Sequence, residues 1–392
     1  MKNSILEQEL VIIKNQLITH KYKENEIGLM GGKSGLIIFF IYYYRHTQDR
    51  KYLDFALSEL EASYNALSNY DFNFTFSSGL SGFAWTVEHI NTFGFYKLDT
   101  ENILGELDSY IIEQLKLLAN RKNFDFLHGS IGIGIYFLSK DKINIKIKEA
   151  ITFLVNELYK NAIFDSNGHV TWANMENGNI LPINLGLSHG IPAILVFLGK
   201  AIEKKINTKK AEEMINGGIK FLLNNKLSTD LHGCFYHYTT APNKYSSKSR
   251  LAWCYGDLSV GSALLQLSNI DGFEYLKNSA IEIFLHSTKR LSPEENLVKD
   301  ACLCHGAIGI AYIFYKSYLS YPDPDLLTCS NYWYRVGLKM RKQDENYHFI
   351  LDPRTEVPEI NYGYLEGTAG VGLGLLGRLS KNQSWDSSLL LS

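Results

Sequence analysis

The sequence lacks long hydrophobic runs, an excess of charge of either sign and an abundance of proline. Its longest apolar run, residues 36–44, is about half the length that a transmembrane helix requires. Lys and Arg number 39 against 41 Asp and Glu, which gives a formal net charge of −2 without a dense basic block. We therefore expect neither a transmembrane segment nor nucleic-acid binding. Only eight prolines occur, which argues against long disordered segments.

The amino terminus also lacks a secretory signal. Residues 1–7 do not combine a basic segment, an apolar segment and small residues. We expect a cytoplasmic protein, with peripheral membrane association through partners as the alternative. Cysteine is scarce as well, since the chain has five, an odd number. In a cytoplasmic protein such cysteines favour metal binding or catalysis over a disulfide framework.

Glycine, in contrast, follows a regular pattern. Seven four-residue segments, each beginning with glycine and most of them also ending with it, precede an apolar stretch. Their first glycines are separated by 47, 50, 61, 66, 50 and 61 residues. A spacing of this size indicates a repeated supersecondary unit. The repeats begin near Gly32, Gly79, Gly129, Gly190, Gly256, Gly306 and Gly367.

The apolar stretches and the segments between them predict two kinds of helix. Stretches that are apolar on nearly every side, such as residues 36–44, are typical of buried helices. Amphipathic segments such as residues 51–64, where Leu53, Leu57, Leu60 and Tyr64 share a face, suit an outer layer. The alternation predicts an all-α fold, an α/α toroid of about seven helical hairpins in which outer helices wrap an inner barrel. We expect a single domain over residues 1–392.

In such a toroid every inner helix begins at the same end of the barrel. Helix starts expose unpaired backbone N–H groups and the positive end of the helix dipole. We therefore expect this mouth to hold a site for an anionic or thiolate group. Three polar, turn-rich intervals, residues 164–186, 227–250 and 343–362, are predicted to form loops around it.

Two of the seven helix starts carry possible metal ligands. Cys254 precedes the fifth, and Cys304 and His305 precede the sixth. Two thiolates and one imidazole with an open fourth position are the pattern of catalytic rather than structural zinc. Cys302 could replace Cys304 as a ligand, although its distance from the helix start favours packing. The remaining cysteines, Cys234 and Cys329, are predicted to be buried apolar residues.

Histidines and carboxylates mark other helix starts. His189 and His128 hold the same position in successive repeats, so position alone does not distinguish them. Asp125 lies among aromatic residues and needs a cationic or imidazole partner, because an unpaired buried carboxylate is costly. Asp257 and Glu366 are the other carboxylates of the mouth, and we expect them to be solvated or to interact with a helix dipole.

Taken in order, these motifs resemble the lanthionine synthetase C family of lanthipeptide cyclases and their relatives. The likeness runs from about residue 28 to residue 378, and an arginine four residues before the first zinc cysteine is matched by Arg250. Each motif is weak by itself, but three in order on a sevenfold glycine repeat are specific. The matching segments are Ser188-His189-Gly190, Trp253-Cys254-Tyr255-Gly256 and Cys304-His305-Gly306.

The resemblance implies a zinc enzyme that adds peptide cysteine thiolates to dehydroalanine or dehydrobutyrine and so forms thioether rings. It implies Zn²⁺ held by Cys254, Cys304 and His305. It also implies that His189 is the acid/base residue and that Asp125 supports it, which leaves His128 as the lesser candidate. His189 would deliver a proton to the enolate or accept the proton of the thiol. Arg250 would stabilise the developing oxyanion.

The implied substrate is a dehydrated precursor peptide. Because only about 30 residues precede the first repeat, we expect a separate dehydratase, with a peptide exporter as a further partner. The alternative is a zinc protein of the same family that binds glutathione or another thiol without cyclase activity. Zinc-dependent prenyltransferases are less favoured because no basic diphosphate cluster is evident. Carboxylate glycosidases are less favoured because a complete Cys/Cys/His set at the mouth would then be a coincidence.

The sequence departs from the family pattern in two places. Ala193 stands where the segment after Ser-His-Gly usually ends with glycine, and Leu258-Ser259 replace a usual Pro-Gly pair. Both departures fall at helix entries rather than at predicted ligands. We expect them to affect the choice of substrate more than the chemistry.

Overall fold

The computed structural model is mostly helical and describes residues 2–173, 175–176, 179–180, 182–227, 233–240, 244–246, 249–352, 354–380 and 383–392. These residues include fourteen α-helices and a 3₁₀ helix, Ser384–Leu389. The α-helices are α1 (Asn3–Thr19), α2 (Lys33–Thr47), α3 (Arg50–Ala66), α4 (Leu80–Thr92), α5 (Thr100–Asn120), α6 (Ser130–Leu138), α7 (Ile145–Asn161), α8 (Ile191–Glu203), α9 (Thr208–Asn224), α10 (Asp257–Leu267), α11 (Leu276–Ser287), α12 (Ala307–Ser320), α13 (Pro324–Leu338) and α14 (Thr368–Leu379).

The chain divides into two compact units. The first consists of residues 1–100 and 290–386, and the second of residues 101–289 and 387–392. Helices α1–α4 and α12–α14 belong to the first unit, whereas α6–α11 and nearly all of α5 belong to the second. The single domain expected over residues 1–392 stays a prediction.

The seven glycines that begin the repeats all lie at the N-caps of buried helices. These helices, which we call inner, are buried along nearly their whole length; α6 is buried at all its positions. The alternate helices have one buried face, and we call them outer. The N-caps of α2, α4, α6, α8, α10, α12 and α14 are Gly32, Gly79, Gly129, Gly190, Gly256, Gly306 and Gly367.

The outer helix α3 differs in detail from its predicted face. Leu53 and Leu60 are buried as expected, but Leu57 is half-buried and Tyr64 is exposed. The buried face instead includes the small residues Ala56 and Ser63. Small side chains allow a closer approach to the neighbouring helix, and an apolar pattern by itself does not identify them.

In the first unit the inner helices are neighbours in the order α12, α14, α2, α4. Helix α3 packs on α2 and α13 on α12, while α1 packs on α14. The first helix of the sequence therefore covers the last inner helix. In the second unit the inner helices are neighbours in the order α6, α8, α10, with α7, α9 and α11 packed on them in turn.

The loop before an inner helix folds back over the start of that helix. In five repeats the first helical N–H donates to the carbonyl seven residues earlier, at 2.8 to 3.0 Å. The expectation of unpaired N–H groups is therefore wrong at these positions, because the preceding loop supplies their acceptors. The donor and acceptor pairs are Lys33 and Glu26, Leu80 and Asn73, Ser130 and Asn123, Ala307 and Asp300, and Thr368 and Asn361.

The strands of the described residues are all short and antiparallel, and apart from Ile163 they lie in the three intervals predicted as loops. β1 pairs with β2, β3 with β4, β6 with β5 and β7, and β8 with β9. Parts of these intervals, residues 174, 177–178, 181, 228–232, 241–243, 247–248 and 353, lie outside the described residues. The strands are β1 (Ile163–Phe164), β2 (Val170–Thr171), β3 (Met175–Glu176), β4 (Asn179–Ile180), β5 (Ile183–Asn184), β6 (Tyr238–Thr240), β7 (Lys244–Ser246), β8 (Phe349–Ile350) and β9 (Pro358–Glu359).

Candidate functional site

His189 and Asp125 form a hydrogen-bonded pair in the second unit. Nδ1 of His189 lies 2.6 Å from Oδ2 of Asp125. Asp125 comes from the loop before α6, and His189 directly precedes the N-cap of α8; the two helices pack together. The second carboxylate oxygen of Asp125 accepts the backbone N–H of His128 at 2.7 Å. Asp125 is thus held between two helix starts, and Nε2 of His189 is not part of the pair.

The environment of His189 raises its pKa. Burial by itself would lower the pKa, but the hydrogen bond and the charge of Asp125 outweigh burial, and the Cys254 sulfur adds to their effect. The pKa of His189 therefore lies above its usual value of 6.5. Burial instead lowers the pKa of His128, whose ring stacks on His189 with centroids 5.9 Å apart. Asp125 contacts the ring of His189 but the backbone of His128, which favours His189 as the acid/base candidate.

Cys254 lies in a tight loop that is packed against the residue before His189. Leu251 and Gly256 form a β-bridge that closes the loop. Gly256 has a φ of 79°, and a Cβ there would lie 2.0 Å from the Arg250 carbonyl oxygen, so the turn requires glycine. Cys254 is 4% exposed, and its carbonyl accepts the Ser188 hydroxyl at 3.3 Å. The proposed ligand and the proposed acid/base residue thus come from segments in direct contact.

Arg250 begins the same loop and is half-buried. The Trp253 side chain also anchors the loop, because its buried Nε1 donates to the carbonyl of Leu389 at 2.7 Å. The second unit therefore holds the predicted residues Asp125, His189, Arg250 and Cys254.

Cys304 and His305 precede α12 in the first unit. Cys304 is 6% exposed, and its N–H donates to the carbonyl of Leu365 at 3.1 Å. The half-buried imidazole of His305 lies between two carboxylates. Its Nε2 is 3.7 Å from Oδ2 of Asp300, and its Nδ1 is 3.8 Å from Oε1 of Glu366. That Cys254 of the second unit shares one zinc ion with these residues stays a prediction.

Asp300 is a site residue that the motifs did not reveal. It is 1% exposed, and its Oδ1 accepts the N–H of Cys302 at 2.9 Å while Oδ2 accepts the N–H of Ile350 at 3.2 Å. Asp300 lies six residues before its N-cap glycine. Alignment of the repeats on those glycines would have revealed it, because this repeat has aspartate where four other repeats have asparagine. These residues are Asn73, Asn123, Asn184 and Asn361, each of which accepts the N–H two residues later.

Cys302 is fully buried and remains the alternative ligand. Its Sγ accepts the backbone N–H of His305 at 3.4 Å, and burial raises the pKa of its thiol. Possible ligand atoms of Asp300, Cys302 and His305 lie within 4.8 Å of one another. Cys329 is buried, as expected.

Of the two roles expected for Asp257, solvation is wrong, whereas its position in the first turn of α10 fits an interaction with the helix dipole. Asp257 is fully buried; Oδ1 accepts the N–H groups of Cys234 and Phe235 at 2.8 and 2.9 Å, and Oδ2 accepts the hydroxyl of Ser287 at 3.1 Å. Asp257 thus joins residues 234–235 to α10 and α11, which is a structural role. Cys234 is buried as predicted, with Sγ 3.4 Å from Nδ1 of His286.

A sequence model of the lanthionine synthetase C-like protein family matches residues 23–390. The chain therefore belongs to this family. No curated protein sequence matches it. Among the helices of the described residues, none is long and apolar enough to span a bilayer.

The solved structure of nisin cyclase resembles this chain with a TM-score of 0.79 and 18% sequence identity, over 100% of this chain and 98% of that one. At this identity the likeness shows the fold alone, and it confirms the predicted all-α, α/α toroid class. An inactive variant of an α-1,6-mannanase of Salegentibacter matches with a TM-score of 0.42 and 10% identity, over 100% of this chain and 99% of that one.

Proposed function

We propose that this protein is a zinc-dependent lanthipeptide cyclase, which joins cysteine thiols of a peptide to dehydroalanine or dehydrobutyrine as thioethers. The observation that carries the proposal is the 2.6 Å hydrogen bond between His189 and Asp125, formed beside the Cys254 loop in a chain of the lanthionine synthetase C-like family. The likeness in fold to a protein named nisin cyclase supports it.

Cys254, Cys304 and His305 would hold the zinc ion. Two sulfurs and one imidazole suit zinc with an open fourth position. Both cysteines are almost fully buried, and buried thiolates need a cation. With one ring nitrogen of His305 bound to zinc, the carboxylate beside the other nitrogen would be placed for the second contact that metal-binding imidazoles usually make. Zinc at this place would supply the positive charge that keeps a substrate cysteine deprotonated at neutral pH.

In the proposed reaction, residues of the chain stabilise the negative charge that forms on the substrate and supply the proton that neutralises it. Attack of the sulfur on the β-carbon of the alkene forms the C–S bond and moves negative charge to the α-carbon and its carbonyl oxygen. His189, whose protonated form is favoured by Asp125, donates a proton from Nε2 to the α-carbon, and Arg250 stabilises the charge on the oxygen. The proton lost by the thiol replaces the one donated, so the mass of the peptide does not change.

The proposal places the protein in the cytoplasm. A separate dehydratase would supply the alkene, and an exporter would remove the product. The decisive experiment incubates the purified protein near pH 7 with a dehydrated, cysteine-containing peptide. Loss of free thiol without a change in mass, in a protein with one zinc per chain, is the expected result. A protein that binds zinc and thiols but leaves the peptide uncyclised would be the thiol-binding alternative.

The ligand set has its own test. Cys304→Ala should lose most of the zinc, whereas Cys302→Ala should keep it, because Cys302 lies two residues farther from the helix start. Metal analysis of both purified variants, with circular dichroism as a control for folding, compares them directly. If Cys304→Ala retains zinc and Cys302→Ala loses it, then Cys302 rather than Cys304 is the ligand.

A further inference from the structure

A cavity of about 400 Å³ lies beside the His189–Asp125 pair, entirely within the second unit. Both residues of the pair line it. Apolar side chains form another part of the lining, namely Trp172, Ile183, Ile191 and Ile194. The volume falls in the range of about 300–1,000 Å³ that is usual for pockets that bind small ligands. An occupant of this cavity would lie next to the group that we propose as the proton donor.

The cavity also carries unbalanced positive charge. Arg121 and Lys122, which directly follow α5, line it and are exposed. Among the described residues, neither forms an ion pair with a carboxylate. Asp125, the carboxylate of the lining, is already bonded to His189. Two exposed cations next to an apolar wall fit a ligand that has an apolar part and an anionic part.

We propose that this cavity binds the part of the substrate peptide adjacent to the reacting dehydroamino acid, and that it selects an apolar side chain next to an acidic one. This inference rests on the proposed function, which makes a peptide the substrate. The apolar side chain would displace water from Trp172 and the isoleucines. The acidic side chain would pair with Arg121 and Lys122, whereas a basic side chain would be repelled.

Short peptides that cannot cyclise test the selection apart from catalysis. The probes are acetylated, amidated peptides with one dehydroalanine and no cysteine, flanked by Phe-Glu, Phe-Lys or Ser-Glu. Isothermal titration at low salt should show the Phe-Glu peptide binding about tenfold more tightly than Phe-Lys, as expected for two exposed ion pairs. Equal affinities for these two peptides would overturn the proposal.

Charge reversal identifies the place of binding. Arg121→Glu with Lys122→Glu should reverse the preference, so that the Phe-Lys peptide binds more tightly. The matched control is Lys146→Glu with Lys148→Glu, which changes the net charge equally at exposed positions of α7 outside the cavity lining. The control variant should keep the original preference. If both variants reverse the preference, the effect comes from the net charge of the protein, and binding in the cavity is contradicted.

The apolar wall is tested separately by Ile183→Ser, at a half-buried position of β5. This variant should weaken binding of the Phe-Glu peptide severalfold and leave binding of Ser-Glu unchanged; equal weakening of both would contradict an apolar subsite. If the cyclase assay fails but the Phe-Glu peptide still binds more tightly than Phe-Lys, only the proposed reaction is contradicted. If cyclisation is normal but the two peptides bind equally, only the proposed subsite is contradicted.

Discussion

The carboxylate of Asp125 has two partners, the His189 ring and the His128 backbone N–H. Despite burial, its hydrogen bond and its charge, together with the Cys254 sulfur, hold the pKa of His189 above the usual value. Replacement by Asn keeps hydrogen-bonding capacity at this position but removes the charge. A change in rate caused by Asp125→Asn would therefore report on protonation of His189 rather than on folding.

We expect Asp125→Asn and His189→Ala to keep their zinc and to slow cyclisation by about 10²–10⁴-fold, the usual effect of losing a positioned acid or base. Because the pKa of His189 is raised, the imidazolium form persists above pH 6.5 and is lost as pH rises through the higher value. The alkaline fall in rate should therefore begin at lower pH in Asp125→Asn. Single-turnover rates across pH 6–8, with metal analysis, measure this; loss of zinc would instead indicate a structural role.

Asp300 combines a turn-forming role with a charge. Four other repeats use asparagine for the same turn, so Asp300→Asn should keep that turn. It loses the negative charge 3.7 Å from His305 and the hydrogen bond that Oδ2 accepts from the N–H of Ile350. We expect zinc affinity to fall by about 10–100-fold, which is typical when a contact that orients a metal-binding imidazole is removed.

Competition with a chelator measures the zinc affinity of Asp300→Asn, and thermal unfolding of the zinc-free protein controls for stability. Asn73→Asp makes the opposite exchange at the matching position of another repeat and should leave zinc affinity unchanged. If Asp300→Asn binds zinc like the parent protein, Asp300 serves only the turn.

At the scale of helices, the sequence predicted the seven inner helix starts to within a few residues. The physical reason is local. A Cβ at Gly79 would lie 2.2 Å from the carbonyl oxygen of Asn73, and the φ of Gly256 is one that other residues avoid, so glycine marks where a loop returns to its helix. Such constraints act within a few residues and remain visible in sequence.

Features that depend on how a loop folds back were harder to predict. The paired N–H groups of the helix starts, and the contact of Asp300 with His305, arise from loop conformations that no apolar pattern encodes. Small buried residues such as Ala56 and Ser63 were missed because hydrophobicity alone does not reveal close packing. The acid/base role predicted for His189 and the supporting role predicted for Asp125 came from the family resemblance. The spacing of these two residues in the sequence does not by itself predict that they form a pair.

Two glycine substitutions separate a required glycine from a replaceable one. Gly256→Ala should cost at least about 1–3 kcal/mol in free energy of unfolding, because it adds backbone strain and a clash with the Arg250 carbonyl. Gly105→Ala, within α5 and with open space around it, should stabilise the protein by about 0.5–1 kcal/mol. Denaturant unfolding of both compares them, and equal effects would contradict the role assigned to the Cys254 loop.

At the scale of the whole molecule, the packing of α1 on α14 places a helix from the start of the sequence against the last inner helix. Ile13 of α1 is fully buried, and a Cβ at Gly372 of α14 would lie 3.0 Å from its Cγ2. Ile13→Ala would leave a cavity between the two helices. A substitution near the amino terminus thus probes a contact that belongs to the core of the first unit.

We expect Ile13→Ala to lower the free energy of unfolding by about 2–5 kcal/mol, as is usual for Ile→Ala in a core. Ile5→Ala, at a 47% exposed position of the same helix, should have little effect. If residues 1–392 form one cooperative domain, hydrogen exchange in α8 and α10 of the second unit should accelerate together with exchange in α14, because both units would unfold in one transition. Exchange that accelerates in α14 but not in α8 or α10 would show that the two units unfold separately, and the chain would then consist of two domains.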